Sequence, residues 1–266
     1  MKFKYLKYII YAIFIITILW MWELAANLEN TDGSPNLVRL FISSPSRSAE
    51  YYMANARKIN IDLLVTAYEA GAGLLIATIF SFAAMIVCFH VPRLMDVILP
   101  VFVTSQVIPI VTLAPLFIVV LGMGITSKIA MAALMCFFPI FIDFGAGVKA
   151  ISGNIKELLF VYDAPTSYKI YKVYFPLALP HIFSGLKVSA TLAVIGAIVA
   201  EFMGAQLGLG WNLFLAGKRL DSELLICSIF STSLLGAMLF GIVALIEKMV
   251  GGWYLHNANN NYNESK

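Results

Sequence analysis

Residues 149–180 read KAISGNIKELLFVYDAPTSYKIYKVYFPLALP. They are a polar island between two apolar runs, each long enough to cross a bilayer. The island is neither Gly/Ser-rich nor poor in apolar residues, so it does not read as a slack linker. It alternates charge with Leu, Phe, Val and Tyr, as a short helix does when it docks on a soluble partner. Ile155–Tyr162 reads as one short helix and Asp163-Ala164-Pro165 breaks it. Thr166 or Ser167 then caps a second helix running to about Tyr174. Phe175-Pro176 and Leu179-Pro180 end that helix and begin the next span. Leu158, Leu159, Phe160, Val161 and Tyr162 are too many apolar side chains for solvent. They call for a groove on a partner or, failing that, for packing against the chain's own bundle.

Outward from this loop the composition is that of a membrane protein. The 266 residues are 61% hydrophobic and 12% charged, against about 25% charged in soluble domains. A spanning helix takes roughly 20 apolar residues, which leaves no room for a large soluble domain. The formal charge of +3 is too small to argue for nucleic acid. Cys88, Cys136 and Cys227 lie inside apolar runs and read as small buried hydrophobes. His90, His181 and His256 are far apart and suggest no metal site. The expected fold is an all-α polytopic membrane protein with a single transmembrane domain over 1–266.

Hydropathy predicts six spans, at residues 8–26, 62–89, 94–121, 128–148, 180–203 and 223–250. The basic start and long apolar run MKFKYLKYIIYAIFIITILWMW read as a retained anchor rather than a cleaved leader. The loop 27–61 contains SRSAEYYMANARK, in which Ala49, Tyr52, Met53 and Ala56 fall at helical spacing. A short helix lying on the outer surface is expected there. Pro100, Pro109 and Pro115 all fall in the third span, so a kink that serves either a pathway or packing is expected. The tail HNANNNYNESK reads as polar and frayed.

Lys2, Lys4 and Lys7 precede the first span and place the N-terminus in the cytoplasm by the positive-inside rule. Six spans then return the C-terminus to the same side, with 149–180 cytoplasmic and 27–61 outside. Of the 18 Lys and Arg residues, 11 fall inside and 7 outside, counting Lys187 as snorkelling inward and Arg39 and Lys128 as outer. Trp20 and Trp22 at one end of the first span, and Tyr5, Tyr8 and Tyr11 at the other, fit interfacial belts.

The chain lacks a phosphate loop: Gly217-Lys218 has neither the upstream glycine nor the following Ser/Thr. It also lacks the G-x-S-x-G and H-E-x-x-H motifs. Charges inside the spans are sparse, namely Glu69, Asp143, Lys187 and Glu201. They do not form the relay of a proton- or sodium-driven carrier. Three readings remain at this point: a permease driven by a separate ATPase, a stand-alone secondary carrier, and a membrane scaffold.

The loop resembles the E-A-A…G…(nine residues)…I-x-L-P signature of the membrane subunits of binding-protein-dependent ABC importers. Glu157 matches its glutamate, and Leu158-Leu159 replace the two alanines. Asp163 stands at the glycine. After nine residues come Val173, one spacer, and Phe175-Pro176. Asp is among the few residues that tolerate the left-handed backbone a glycine position implies. The likeness extends over residues 35–250 and is greatest to the nitrate, sulfonate, taurine and thiamine-precursor permeases. It is carried by IPIVTLAPLFIVVLGMGITSK (108–128), CFFPIFIDFGAGVKAI (136–151) and FPLALPHIFSGLKVSATLAVIGAIVAEFMGAQLGLG (175–210). Glu69 departs from the basic residue expected early in the second span.

The resemblance implies a non-catalytic bacterial inner-membrane subunit with both termini cytoplasmic. Its partners would be a pair of cytoplasmic ABC ATPases, an extracytoplasmic solute-binding protein and a second permease copy. ATP and Mg would sit on the ATPase, with no cofactor on this chain. Glu157, Leu158, Leu159, Tyr162, Asp163, Ala164, Pro165, Val173, Phe175 and Pro176 would couple to the ATPase. Gln106, Pro109, Glu201, Gly208 and Gly210 are candidates for the path or gate, with Ser105 beside them. Glu201 also reads as a structural carboxylate paired with backbone, Lys218 or Arg219. Asp143 either lines the path or caps a contact between spans. The solute stays open among nitrate, sulfonates, taurine, a thiamine precursor and riboflavin-like molecules.

Overall fold

Backbone N–H and C=O groups in lipid need internal partners, so long apolar segments become helices. Among the described residues of this computed structural model, 2–27 and 43–251, every regular element is a helix. We label them α1 (Lys2–Asn27), α2 (Pro45–His90), α3 (Pro92–Ser105), α4 (Ala114–Leu121), α5 (Ile125–Lys149), α6 (Gly153–Val161), α7 (Thr166–Gly204), α8 (Leu209–Arg219) and α9 (Ser222–Val250). The side chains of Lys2, Lys4, Tyr5, Lys7, Tyr8, Tyr11 and Arg93 lie outside the description. So do Arg39, His256 and the tail.

Helices α2, α5, α7 and α9 are each long and apolar enough to cross a membrane, and α3 with α4 makes a fifth candidate if taken together. The apolar described part of α1, Ile13–Asn27, is shorter. The protein is an all-α polytopic membrane protein.

Two expectations about the outer and inner loops are corrected. The segment around Ala49–Ala56 is not a separate surface helix. It is the first part of α2, which runs unbroken for 46 residues. At 1.5 Å per residue that is roughly 70 Å, more than twice a bilayer's hydrocarbon thickness. No Gly or Pro interrupts the junction near Asp62, so nothing ends the helix there. Ser44 opens α2: its Oγ accepts from Arg47 N–H at 3.4 Å and its carbonyl from Ser48 N–H at 3.0 Å. Pro45 takes the first helical position, where no donor is needed. Glu23 of α1 reinforces this start by accepting from Ser46 Oγ at 2.7 Å and Ser46 N–H at 3.2 Å.

The second correction concerns α7. Neither Phe175-Pro176 nor Pro180 ends a helix. Helix runs continuously from Thr166 to Gly204, with a π-helical turn over Lys169–Tyr174 ahead of the two prolines. A wider turn removes some of the i→i−4 pairing that proline would break. Thr166 is the first residue of this helix, and Pro165 stands at the cap with no side-chain cap bond.

By internal contacts the described chain forms two units: the part up to Val65 with Gln206–Ser233, and Thr66–Ala205 with the residues from Leu234 on. In the second, α5 lies against α7 and α2 through small residues. A Cβ placed on Gly196 would come 2.7 Å from the Ala132 Cα, and one on Gly73 would come 2.5 Å from the Ala132 Cβ. Close backbone approach of this kind replaces the hydrophobic driving force that helices lack in lipid. Pro139 sits inside α5 and disturbs the carbonyls of the preceding turn. Neighbouring serines supply donors there: Ser189 Oγ to the Cys136 carbonyl at 3.0 Å, and Ser81 Oγ to the Phe137 carbonyl at 3.1 Å. The aromatic core is built by Phe102 of α3, whose ring meets Phe137, Phe138 and Phe141 of α5 at 5.5, 5.4 and 5.0 Å.

Candidate functional site

Three places gather the residues singled out from sequence. The first is the 153–176 loop. Helix α6 ends at Tyr162, and Asp163 takes φ +45°. Its N–H donates to the Phe160 carbonyl at 3.0 Å, and the Ala164 N–H donates to the Leu159 carbonyl at 3.1 Å. That pair of bonds is a Schellman motif, which needs a left-handed residue where glycine usually stands. Pro165 follows and forbids further helix.

This stop divides the loop's apolar side chains. Leu159 turns inward and is buried. Phe160, Val161 and Tyr162 stay 80, 78 and 76% exposed, and Leu158 and Glu157 are exposed beside them. Phe175 instead packs into the bundle, its ring 5.8 Å from Phe82 and 6.3 Å from Phe144. Tyr174 stacks on Phe89 at 5.6 Å. Val173 and Pro176 are half-buried. The expected set therefore separates into an outward row on α6 and an inward anchor around Phe175.

The second place is the third span, which is broken rather than kinked. The two limbs, Leu94–Ser105 and Ile110–Leu121, meet at 86°. Its three prolines act differently. Pro100 is carried inside α3, and Thr104 Oγ1 donates back to the Pro100 carbonyl at 2.9 Å. Pro109 has no N–H and pushes Ile108 out of helical geometry. Pro115 stands at the start of α4, where a missing donor costs nothing. Phe102 holds the first limb on α5. Ala114 holds the second in a cluster with Met131 and Ala200.

At the break lies an open groove of about 240 Å³, lined by residues including Gln106 and Pro109, by Met135, Phe138 and Pro139 of α5, and by Leu192 of α7. Gln106 and Pro109 thus share one site. The Gln106 side-chain amide makes no hydrogen bond among the described residues.

The third place is a set of buried polar groups that the sequence reading partly missed. Glu201 is fully buried, and its Oε1 accepts from Thr66 Oγ1 at 2.7 Å. Glu69 pairs with Lys128 at 3.2 Å, with their side chains 1 and 10% exposed. Lys128, read as a flanking outer charge, is therefore an interior group tied to α2. Lys187 Nζ donates to Glu247 Oε2, near the end of α9, at 2.8 Å. Gly208 has φ +109°, a conformation only glycine takes readily. Its N–H donates to Asp62 Oδ1 at 2.9 Å, and Asn212 Nδ2 donates to Asp62 Oδ2 at 2.7 Å. Asp62 is the buried anchor of the 206–212 turn, and Gly210 lies in the first turn of α8. As the first residue of an apolar run it had read only as a span boundary. Glu201 belongs to the second unit, and Gly208 and Gly210 to the first.

Residues 81–251 match the family described as the inner membrane component of binding-protein-dependent transport systems. The chain is 29% identical over 241 residues to the formylaminopyrimidine transport permease protein ThiX of Halalkalibacterium halodurans, covering 91% of this chain and 94% of that one. It is 33% identical over 164 residues to the riboflavin transport system permease protein RibX of Chloroflexus aurantiacus, covering 62% and 61%. It is 28% identical over 184 residues to the putative aliphatic sulfonates transport permease protein SsuC of Bacillus subtilis, covering 69% and 64%.

Proposed function

This chain belongs to the binding-protein-dependent transport system inner membrane components, the permeases of ABC importers for small solutes, and from that premise we propose how it works. It takes no part in ATP chemistry; a separate pair of ATPase subunits binds ATP and Mg and hydrolyses the nucleotide. The outward row of α6 seats in a groove of that pair. Two copies of the chain flank the solute path, and an extracytoplasmic binding protein delivers the solute. Both termini and the 149–180 loop face the cytoplasm.

The observation that carries this reading is the exposed apolar row Leu158, Phe160, Val161 and Tyr162 next to Glu157, on a helix stopped by Asp163. In water so dense an apolar patch is costly, and it marks a docking surface. A short helix laid in a groove offers such anchors. The same chain segment enters α7 through Tyr174 and Phe175, which are wedged among Phe82, Phe89 and Phe144. A push on α6 therefore reaches the bundle through packed rings rather than a slack linker. The switch is a rigid-body movement of this kind. Ala164 and Pro165 set the angle between the row and α7.

Glu157→Ala and Phe160→Ser test the docking role. Both residues are exposed, so the variants should reach the membrane at normal levels. Loss of an anchor at a docking centre costs about 2 kcal/mol or more, a drop of at least about tenfold in coupled activity. Uptake and solute-stimulated ATP hydrolysis by the assembled transporter are the readouts. Wild-type values in both variants contradict the proposal.

A further inference from the structure

The buried polar cluster on α2, α5 and α7 holds more acid than base. We propose that Glu69 and Glu201 share a single proton, which latches α2 to α7 and leaves the cluster, with Lys128, electrically neutral.

Four side chains of the second unit meet here. Glu69, Glu201 and Thr66 are fully buried, and Lys128 is 8% exposed. Thr66 Oγ1 donates to Glu201 Oε1 at 2.7 Å, and Lys128 Nζ lies 3.2 Å from Glu69 Oε1. The carboxyl groups of Glu69 and Glu201 are themselves in hydrogen-bond contact. An ionised carboxylate only accepts hydrogen bonds, so two of them cannot bond to each other. The contact requires a proton on one of the pair, as wherever two acids at close range cannot both ionise.

Charge balance leads to the same place independently. Two carboxylates against one ammonium would leave one excess negative charge out of reach of water, which is strongly unfavourable. One added proton removes the excess. Neither Glu69 oxygen accepts a well-formed hydrogen bond from a donor among the described residues. A proton shared with Glu201 supplies the bond that Glu69 lacks. A metal ion fits less well. The described residues hold no group of three or more His, Cys, Asp or Glu able to ligate one, and the Lys128 ammonium already occupies one side of Glu69.

The surrounding helices hold the carboxyls together. Gly73 lies one turn along α2 from Glu69, and Ala132 one turn along α5 from Lys128. A Cβ on Gly73 would come 2.5 Å from the Ala132 Cβ, and one on Gly196 of α7 would come 2.7 Å from the Ala132 Cα. Three backbones converge on one alanine beside the cluster, and solvent does not reach either acid. At this level α2 and α7 cannot part without breaking the shared bond, and a polar group left unpaired in such surroundings is costly.

The test reads the proton itself. The full chain, purified in detergent and held in neutral buffer, is compared with its Glu69→Gln and Glu201→Gln variants by infrared difference spectroscopy. A protonated carboxyl gives a C=O stretch that ionised carboxylates lack. The parent should show this band with the area of a single carboxyl per chain. Labelling the glutamate side-chain carboxyl with carbon-13 should move it, which separates it from any contribution of Asp143. Both Gln substitutions should abolish it. Thr66→Val keeps the side-chain volume and takes away the hydroxyl on Glu201, so it should shift the band without abolishing it. This milder variant decides the matter if a Gln variant does not fold. The latch is read by melting: Glu201→Leu, which can neither hold nor accept a proton, should melt a few degrees below Glu201→Gln. Absence of a glutamate acid band in the parent, a band that survives both Gln substitutions, or one indifferent to Thr66→Val overturns the shared proton. Equal melting of the Leu and Gln variants overturns the latch.

Discussion

Asp163 shows how one side chain can keep a turn that its type does not favour. A left-handed backbone costs most L-residues about 1–2 kcal/mol, and Asp is among those that adopt it most readily. The structure places Asp163 at φ +45°, where the Schellman bonds from 163 to 160 and from 164 to 159 close α6. Asp163→Gly should therefore keep transport and raise the melting temperature of the purified protein slightly. Asp163→Val, whose branched Cβ is excluded from this region, should lower it and reduce uptake with it. Equal melting temperatures for the two variants would show that the turn is not what holds the loop. This position was legible because a signature's spacing pointed to a glycine-like conformation. Asp62 was not legible. Its two partners, Gly208 and Asn212, lie 146 and 150 residues away, and one acid at the edge of an apolar run looks like a boundary. Lys128 was misread for the same reason: position beside a span says nothing about which helix a side chain meets.

At the scale of elements, apolar periodicity located the helices, and the departures come from local chemistry that hydropathy averages away. Helix α2 continues through the polar stretch before Asp62 because nothing there stops it. Helix α7 absorbs Pro176 and Pro180 because a π turn precedes them. The third span breaks at Pro109 while tolerating Pro100, since only at 109 do the preceding residues leave the helix through consecutive i→i+3 turns. Among the elements, α2 and α5 are joined by the Glu69–Lys128 pair. Removing one partner of a buried pair strands the other charge and costs about 3–5 kcal/mol, whereas replacing both by apolar residues of similar volume is often neutral. Lys128→Met alone should thus strongly lower the thermal stability of the detergent-purified protein, and Glu69→Leu combined with Lys128→Met should restore most of it. A double variant as unstable as the single one would mean that the pair does more than balance charge.

At the scale of the whole molecule, the family match over residues 81–251 makes the chain a transport permease component, while its own geometry divides the labour. Leu158, Phe160, Val161 and Tyr162 form an exposed apolar row on α6, packed aromatic rings around Tyr174 and Phe175 lead into α7, and the third span is broken at 86°. Class and role were legible from composition and from the loop's spacing. The outward and inward halves of the loop were not, because Phe160 and Phe175 look alike until the turn at Asp163 points one to solvent and the other to Phe82 and Phe144. The most direct test of the central claim places a photo-crosslinking phenylalanine analogue at Tyr162 in the intact transporter, with Met53 on exposed α2 as the comparison site. Tyr162 should form an adduct with a polypeptide whose sequenced peptides carry a phosphate-loop nucleotide-binding motif, and Met53 should not. Adducts from Tyr162 that contain only this chain, in preparations where the ATPase is present, would contradict the account.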